Sequence, residues 1–218
     1  MSTDTRKFKP LNMPKLAEDY LKQHKVKELP VDVFELCRRD KIKMLPYSTE
    51  KAKRVAALLD DLDLMERTDG FVVQVDEITI LLWDDSKSLQ RQRFTVAHEL
   101  GHVVNGDLGP QPTLQNREPS EMDNPKETAA NIFASRILAP ASVLWALDVH
   151  DAETIAELCG ISQTAAEWRC KRMELLYERE KQFLAKYGKS CFLMSPLEQK
   201  VHRQFRTYIA RQKRDLCY

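Results

Sequence analysis

His98, Glu99 and His102 stand in the run Arg93-Phe-Thr-Val-Ala-His98-Glu99-Leu-Gly-His102, a His-Glu-x-x-His pattern. Residues four apart on an α-helix lie nearly above one another, so both imidazoles can face one cation. Glu99 is turned about 100° around the axis by the 3.6-residue period. It can reach a water on that cation without taking a ligand position. Two imidazoles, one further ligand, an open position for water and an adjacent carboxylate base make up the apparatus of zinc-assisted peptide hydrolysis.

The further ligand is sought downstream, in Glu127-Thr-Ala-Ala-Asn131-Ile-Phe-Ala-Ser-Arg-Ile-Leu-Ala-Pro140. Ala130, Phe133, Ala134, Ile137 and Leu138 form an apolar helical stripe that Pro140 ends. Glu127 and Asn131 are four apart and share a face bordering it. Glu127 is the candidate third ligand. Asn131 is the candidate partner of the non-metal nitrogen of a ligand histidine, His98 in the first instance. Other readings stay open. The two histidines could be packed side chains without a metal. Glu127 could be a carboxylate favoured by a helix N-terminus, with Glu121 or Asp123 as ligand instead. A structural zinc would need cysteines, and no Cys-x-x-Cys pair is present. His24, His150 and His202 have no partner at ligand spacing and read as ordinary histidines.

The motif must lie on a helix, expected over Leu89–Asn105. Phe94, Ala97, Gly101 and Val104 recur at helical spacing, and Asn105-Gly106 is a stop signal. Thr95 would cap or join the first turn. Gly101, between the histidines, permits close approach of another element. Upstream, helices are expected over Pro14–Lys25 and Val31–Asp40 and a strand over Lys41–Pro46. Lys51–Asp63 favours one helix through Val55, Leu58, Leu59 and Leu62. Phe71–Val75 and Ile78–Trp83 form a hairpin candidate around Asp76-Glu77. The pattern predicts an α+β fold with a small mixed or antiparallel sheet. The proline-rich stretch 106–125 is a long loop that either lines the cleft or is mobile.

Residues 153–172 read as helix, glycine turn, helix, with Ala156 and Gly160 spaced for a close crossing. A DNA reader of this layout would offer Gln163, Thr164, Glu167 or Arg169. A two-helix packing unit explains the pattern as well and is favoured, so direct DNA binding is not expected. Net charge is +1 but uneven: residues 171–218 carry 12 Lys/Arg against 5 acids, leaving 1–170 at −6. The basic segment reads as a solvated helical face, or else a contact for nucleic acid or an acidic partner. Five widely spaced cysteines (Cys37, Cys159, Cys170, Cys191 and Cys217) fit a reducing compartment. The N-terminus lacks an apolar signal core, and no apolar run of about 20 residues stands out, so a cytoplasmic protein without membrane contact is expected.

Taken together, the 93–102 run and the Glu127…Asn131-Ile-Phe-Ala…Leu-Ala-Pro140 segment resemble the ImmA/IrrE family of metallo-endopeptidases. The likeness extends from about Leu16 to Arg172. It implies a zincin-like catalytic domain, taken as residues 1–150, then a helical region, 151–218, whose 153–172 segment resembles the helix-turn-helix-like part of that family. It further implies Zn²⁺ held by His98, His102 and Glu127, with Glu99 as general base. Members cleave helix-turn-helix transcriptional repressors and so derepress mobile-element or stress genes. Here the repressor would be a separate protein, since no DNA-binding domain is fused ahead of the catalytic part. One departure is Ala129, where many relatives carry a second acid, so Glu127 is the only acid left in that helix register. The alternative function is a non-catalytic regulator that binds a repressor or DNA and carries a silent or structural zinc site.

Overall fold

The structure is a computed structural model that describes residues 12–59, 63–108, 124–188 and 195–215. Helix α1 (Met13–Gln23) starts where the Asn12 side chain accepts from the Lys15 amide, and α2 (Val33–Arg39) where Asp32 accepts from Glu35. Each cap satisfies an amide that the first turn leaves orphaned. Strand β1 (Lys43–Pro46) follows, then α3 (Glu50–Ala57) capped by Thr49, and the short α4 (Leu64–Arg67). The single helix expected over 51–63 is thus a shorter one, and Leu58, counted in its apolar stripe, is 76% exposed. The chain turns there to bring the next strand back.

Strands β2 (Gly70–Val75) and β3 (Ile78–Trp83) form the expected hairpin. Asp76 takes the left-handed conformation that such a tight turn needs. The sheet order is β1-β3-β2, with β1 parallel and β2 antiparallel to β3, so the sheet is small and mixed. Helix α5 (Leu89–Asn105) occupies the span read from the sequence. Ser88, not Thr95, caps it, and Thr95 lies buried in mid-helix facing β2. Gly106, at φ 74°, ends it.

Then come α6 (Pro125–Leu138), α7 (Ala141–Leu147), α8 (Ala152–Cys159), α9 (Gln163–Tyr187), α10 (Pro196–Gln204) and α11 (Arg206–Asp215). The fold is α+β and mostly helical. Pro125–Leu147 is long and apolar enough to cross a membrane by length and composition, which corrects the expectation that no such run stands out. The run is broken at Ala139–Pro140, and its apolarity is accounted for by core packing: Ala130, Phe133, Ala134 and Ile137 are fully buried.

Helix α5 lies between the sheet and α6, and one hydrophobic cluster runs from Met13 in α1 to Ile209 in α11. The α5 side chains that fill it are Val96, Ala97 and Leu100, each without solvent exposure. Of the expected stripe, Ala97 is in this core and Phe94 and Val104 pack against it partly buried, while Gly101 serves a second contact. A β-carbon at Gly101 would lie 3.0 Å from the Ala130 Cα and 3.2 Å from its carbonyl oxygen. The missing side chain is what lets α6 press its backbone against the histidine helix. Gly101→Val is therefore expected to cost about 1–3 kcal/mol through overpacking, read as a lower urea midpoint.

Glu18, on α1, faces both α6 and the start of α10, 3.5 Å from Arg136 and 3.3 Å from the Ser195 hydroxyl, which donates to it. Burial, together with the charge of Glu198, outweighs the Arg136 and Ser195 contacts and lifts its carboxyl to about 7. The native state therefore holds a proton between pH ~4.5 and ~7 that the unfolded chain has released, and stability falls as pH rises through that window. Glu18→Gln should remove that part of the pH dependence. Denaturation midpoints of both proteins at pH 5 and pH 8 provide the check.

Candidate metal centre

Helix α5 presents His98 and His102 one turn apart, both 7% exposed, toward the first turn of α6. Glu127 sits in that turn, where the helix dipole favours a carboxylate. The helix-terminal reading and the site reading of Glu127 thus describe one placement. Glu127 Oε2 is 3.0 Å from His98 Nε2, its Oε1 is 3.2 Å from His102 Nε2, and the two Nε2 atoms are 3.2 Å apart. These three residues are the one His/Cys/Asp/Glu group among the described residues whose ligand atoms converge, all within 4.8 Å. Glu121 and Asp123 lie outside the described residues, as does most of the 106–125 loop.

The far nitrogen of each imidazole is also engaged. His98 Nδ1 lies 2.9 Å from Asn131 Oδ1, and His102 Nδ1 lies 2.9 Å from Asp107 Oδ2. Both partners are acceptors, so each Nδ1 carries a hydrogen, and in the neutral ring that leaves the Nε2 lone pair for the shared point. Two lone pairs 3.2 Å apart repel unless a proton or a cation lies between them. Ligands at ~2.0–2.1 Å around a tetrahedral zinc stand about 3.3 Å from one another, close to the separations seen. Two imidazoles and one carboxylate therefore fit a zinc ion as a donor set.

The local field also suits a cation. Burial pushes His102 toward the neutral form, but hydrogen bonds to Asp107 and Glu127 and the charge of Glu99 overcome this and lift it to about 9. Hydrogen bonds from His102 and His98 hold Glu127 well below the usual carboxylate range, despite partial burial. Burial pushes Asp107 up, yet its contacts with His102 and Asn105 bring it below its ordinary value.

Asp107 has no counterpart among the residues singled out from sequence. It is placed by the left-handed turn at Gly106, which folds it back to His102 five residues earlier, while the Asn105 amide donates to both of its oxygens at 3.0 and 3.1 Å. An acid just past a helix-ending glycine near a candidate ligand histidine is the signal that could have found it. Asp107→Ala should weaken zinc binding by about 10–100-fold, since it frees the imidazole to rotate and change tautomer. A competition titration against a chromophoric chelator measures this.

Glu99 is 2% exposed and lines, with His98, Glu127, Asn131 and Thr95, a recess of 340 Å³ that is open to solvent. The other histidines stay apart: His24 is 3.2 Å from Asp40, and His150 is 2.9 Å from Asp148. Cys37 and Cys159 are buried thiols pushed up to about 12, which makes them poor competing ligands.

A family model described as the IrrE N-terminal-like domain, peptidase M78, matches residues 60–171, just over half of the chain. The chain belongs to the ImmA/IrrE family of metallopeptidases. No curated protein matches it. The span matched in this family member includes α5, α6, α7, α8 and the first turns of α9, which pairs with α8. In that pair, three residues around Gly160 separate the helices. The small Gly160 does not serve a crossing of α8 with α9. A β-carbon there would meet Pro30 at 3.2 Å and the Arg93 Nε at 3.4 Å. Arg169, a candidate base-contacting residue from the sequence, is buried and donates to the Ala139 carbonyl. It is thereby removed from the exposed face of α9.

Proposed function

We propose that this protein is a zinc-dependent endopeptidase with a zincin-like core, and that it cuts a separate helix-turn-helix repressor. The carrying observation is the convergence of His98, His102 and Glu127 with both imidazole Nδ1 atoms already engaged, beside Glu99 in an open recess. His98, His102 and Glu127 would hold the ion. When bound, zinc would lower the pKa of a water toward ~7 and polarise the scissile carbonyl. Glu99 takes the proton from the attacking water and delivers it to the departing amine nitrogen. Asn131 and Asp107 keep the imidazoles in one tautomer throughout. The burial of Glu99 keeps its carboxylate aimed and sets it in a medium of low dielectric, where its charge acts strongly.

The repressor as substrate follows from the family resemblance, and a substrate protein fits a recess that is open rather than enclosed. The test incubates zinc-loaded protein with purified helix-turn-helix repressors of its own genome, any that is encoded beside its gene first. Mass spectrometry should find one dominant cut, absent with the Glu99→Gln protein. An intact repressor at stoichiometric zinc, or equal cutting by Glu99→Gln, would reject the reading.

A further inference from the structure

Beyond Phe94 lies a second recess that the chemistry above does not use. Phe94 sits one turn before His98 on α5, its ring 6.2 Å from the imidazole, and it walls both the site recess and this neighbour. Its 170 Å³ is walled mainly by the apolar Phe94, Leu138, Ala139, Ile161, Ala165 and Trp168, with Ser135 and two arginines, Arg169 and Arg172, completing the lining. An apolar cavity of about 150 Å³ is enough to take a benzene molecule. The space therefore suits one large aliphatic or aromatic side chain.

Its walls are fixed rather than adventitious. They come from α5, the end of α6 and the start of α9, and two buried guanidinium groups tie these together. Arg93 of α5 donates at 3.0 Å to each of the Cys159 and Gly160 carbonyls, closing the C-terminus of α8 where the dipole favours a cation. Arg169 of α9 donates to the Ala139 carbonyl just past α6. The two arginines spend their charge on backbone and hold α9 against the metal-bearing helices. Trp168, also lining the recess, keeps 70% of its surface exposed, with the Lys171 ammonium over its ring at 5.1 Å.

We infer that this recess is a specificity pocket of the proposed peptidase site and takes a leucine, isoleucine, methionine or phenylalanine side chain of the substrate. Continuity through Phe94 identifies the occupant as the chain being cut. Phe94 walls both recesses, so the bound side chain belongs to a residue within a few positions of the cut bond. Desolvating such a side chain is worth about ten-fold or more in kcat/KM.

The inference rests on the peptidase reading, and two measurements separate their failures. In the first, zinc-loaded protein digests a proteome-derived peptide library and the residues around each cut are counted. One fixed position near the bond should favour large apolar residues about ten-fold. Ala165→Phe, which fills the pocket from the half-buried start of α9, should shift that position to glycine and alanine, raising the ratio of small-residue to large-residue cuts at least ten-fold; Ala165→Met should give an intermediate shift. Absence of any preference, or a preference unchanged in both variants, overturns the pocket. The second needs no turnover. Tryptophan emission is titrated with blocked hexapeptides carrying a central leucine or a central glycine. A response to leucine alone, lost in Ala165→Phe and in Trp168→Phe, supports the pocket even if the library stays uncut, in which case the peptidase reading fails by itself. An equal response to both peptides, or none to leucine, overturns the pocket.

Discussion

The Glu99→Gln protein is expected to bind one zinc ion as tightly as wild type and to lose about 10²–10⁴-fold in turnover. The substitution keeps the side-chain volume and removes only the ability to take a proton. Glu99 is 2% exposed and lines the same recess as His98 and Glu127, and water reaching that recess is a far weaker base than a carboxylate. Isosteric packing should leave the thermal midpoint of the metal-bound protein nearly unchanged. Activity is measured on the repressor or on the best library peptide, and zinc by competition with a chelator. Loss of activity accompanied by loss of zinc would point instead to a ligand or structural role for Glu99.

Glu127→Ala should behave in the opposite way, losing the metal first and the activity as a consequence. The carboxylate touches both imidazoles, at 3.0 and 3.2 Å, and is the sole contribution of α6 to the cluster. Zinc sites with four protein ligands bind with roughly 10–16 kcal/mol, about 3 kcal/mol per ligand, so removing one should weaken affinity by roughly 10²–10³-fold. The zinc-dependent rise in thermal midpoint should shrink in step, since a ligand stabilises only through its affinity for the native state. The paired outcome separates ligand from base: Glu99→Gln keeps the metal shift and loses turnover, whereas Glu127→Ala loses both.

What sequence made legible follows from which interactions are local. The α5 helix could be bounded at both ends because its period and its Asn105-Gly106 stop are properties of neighbouring residues. The same holds for the hairpin around Asp76 and for the shared face of Glu127 and Asn131 on α6. Helix α7 escaped because Pro140 reads as an ending, yet that proline is the N-cap of the next helix. Asp107 escaped because its role depends on a left-handed turn that folds it back. Arg93 and Arg169 were read only as motif neighbours or base contacts. Their partners lie some 66 and 30 residues away and exist only once α8 and α9 dock. The basic C-terminal segment places its charges outward, while Val201, Phe205, Tyr208 and Ile209 pack into the main core, a division that net charge alone conceals.

Zinc K-edge absorption on the protein loaded with one equivalent of metal tests the central claim most directly. The geometry of His98, His102 and Glu127 predicts a first shell of four light atoms at ~2.0–2.1 Å, two of them with the outer-shell scattering of imidazole rings. His102→Ala should remove one imidazole. A sulfur shell near ~2.3 Å, or a spectrum unaltered in His102→Ala, would place the metal elsewhere in the chain and contradict the account.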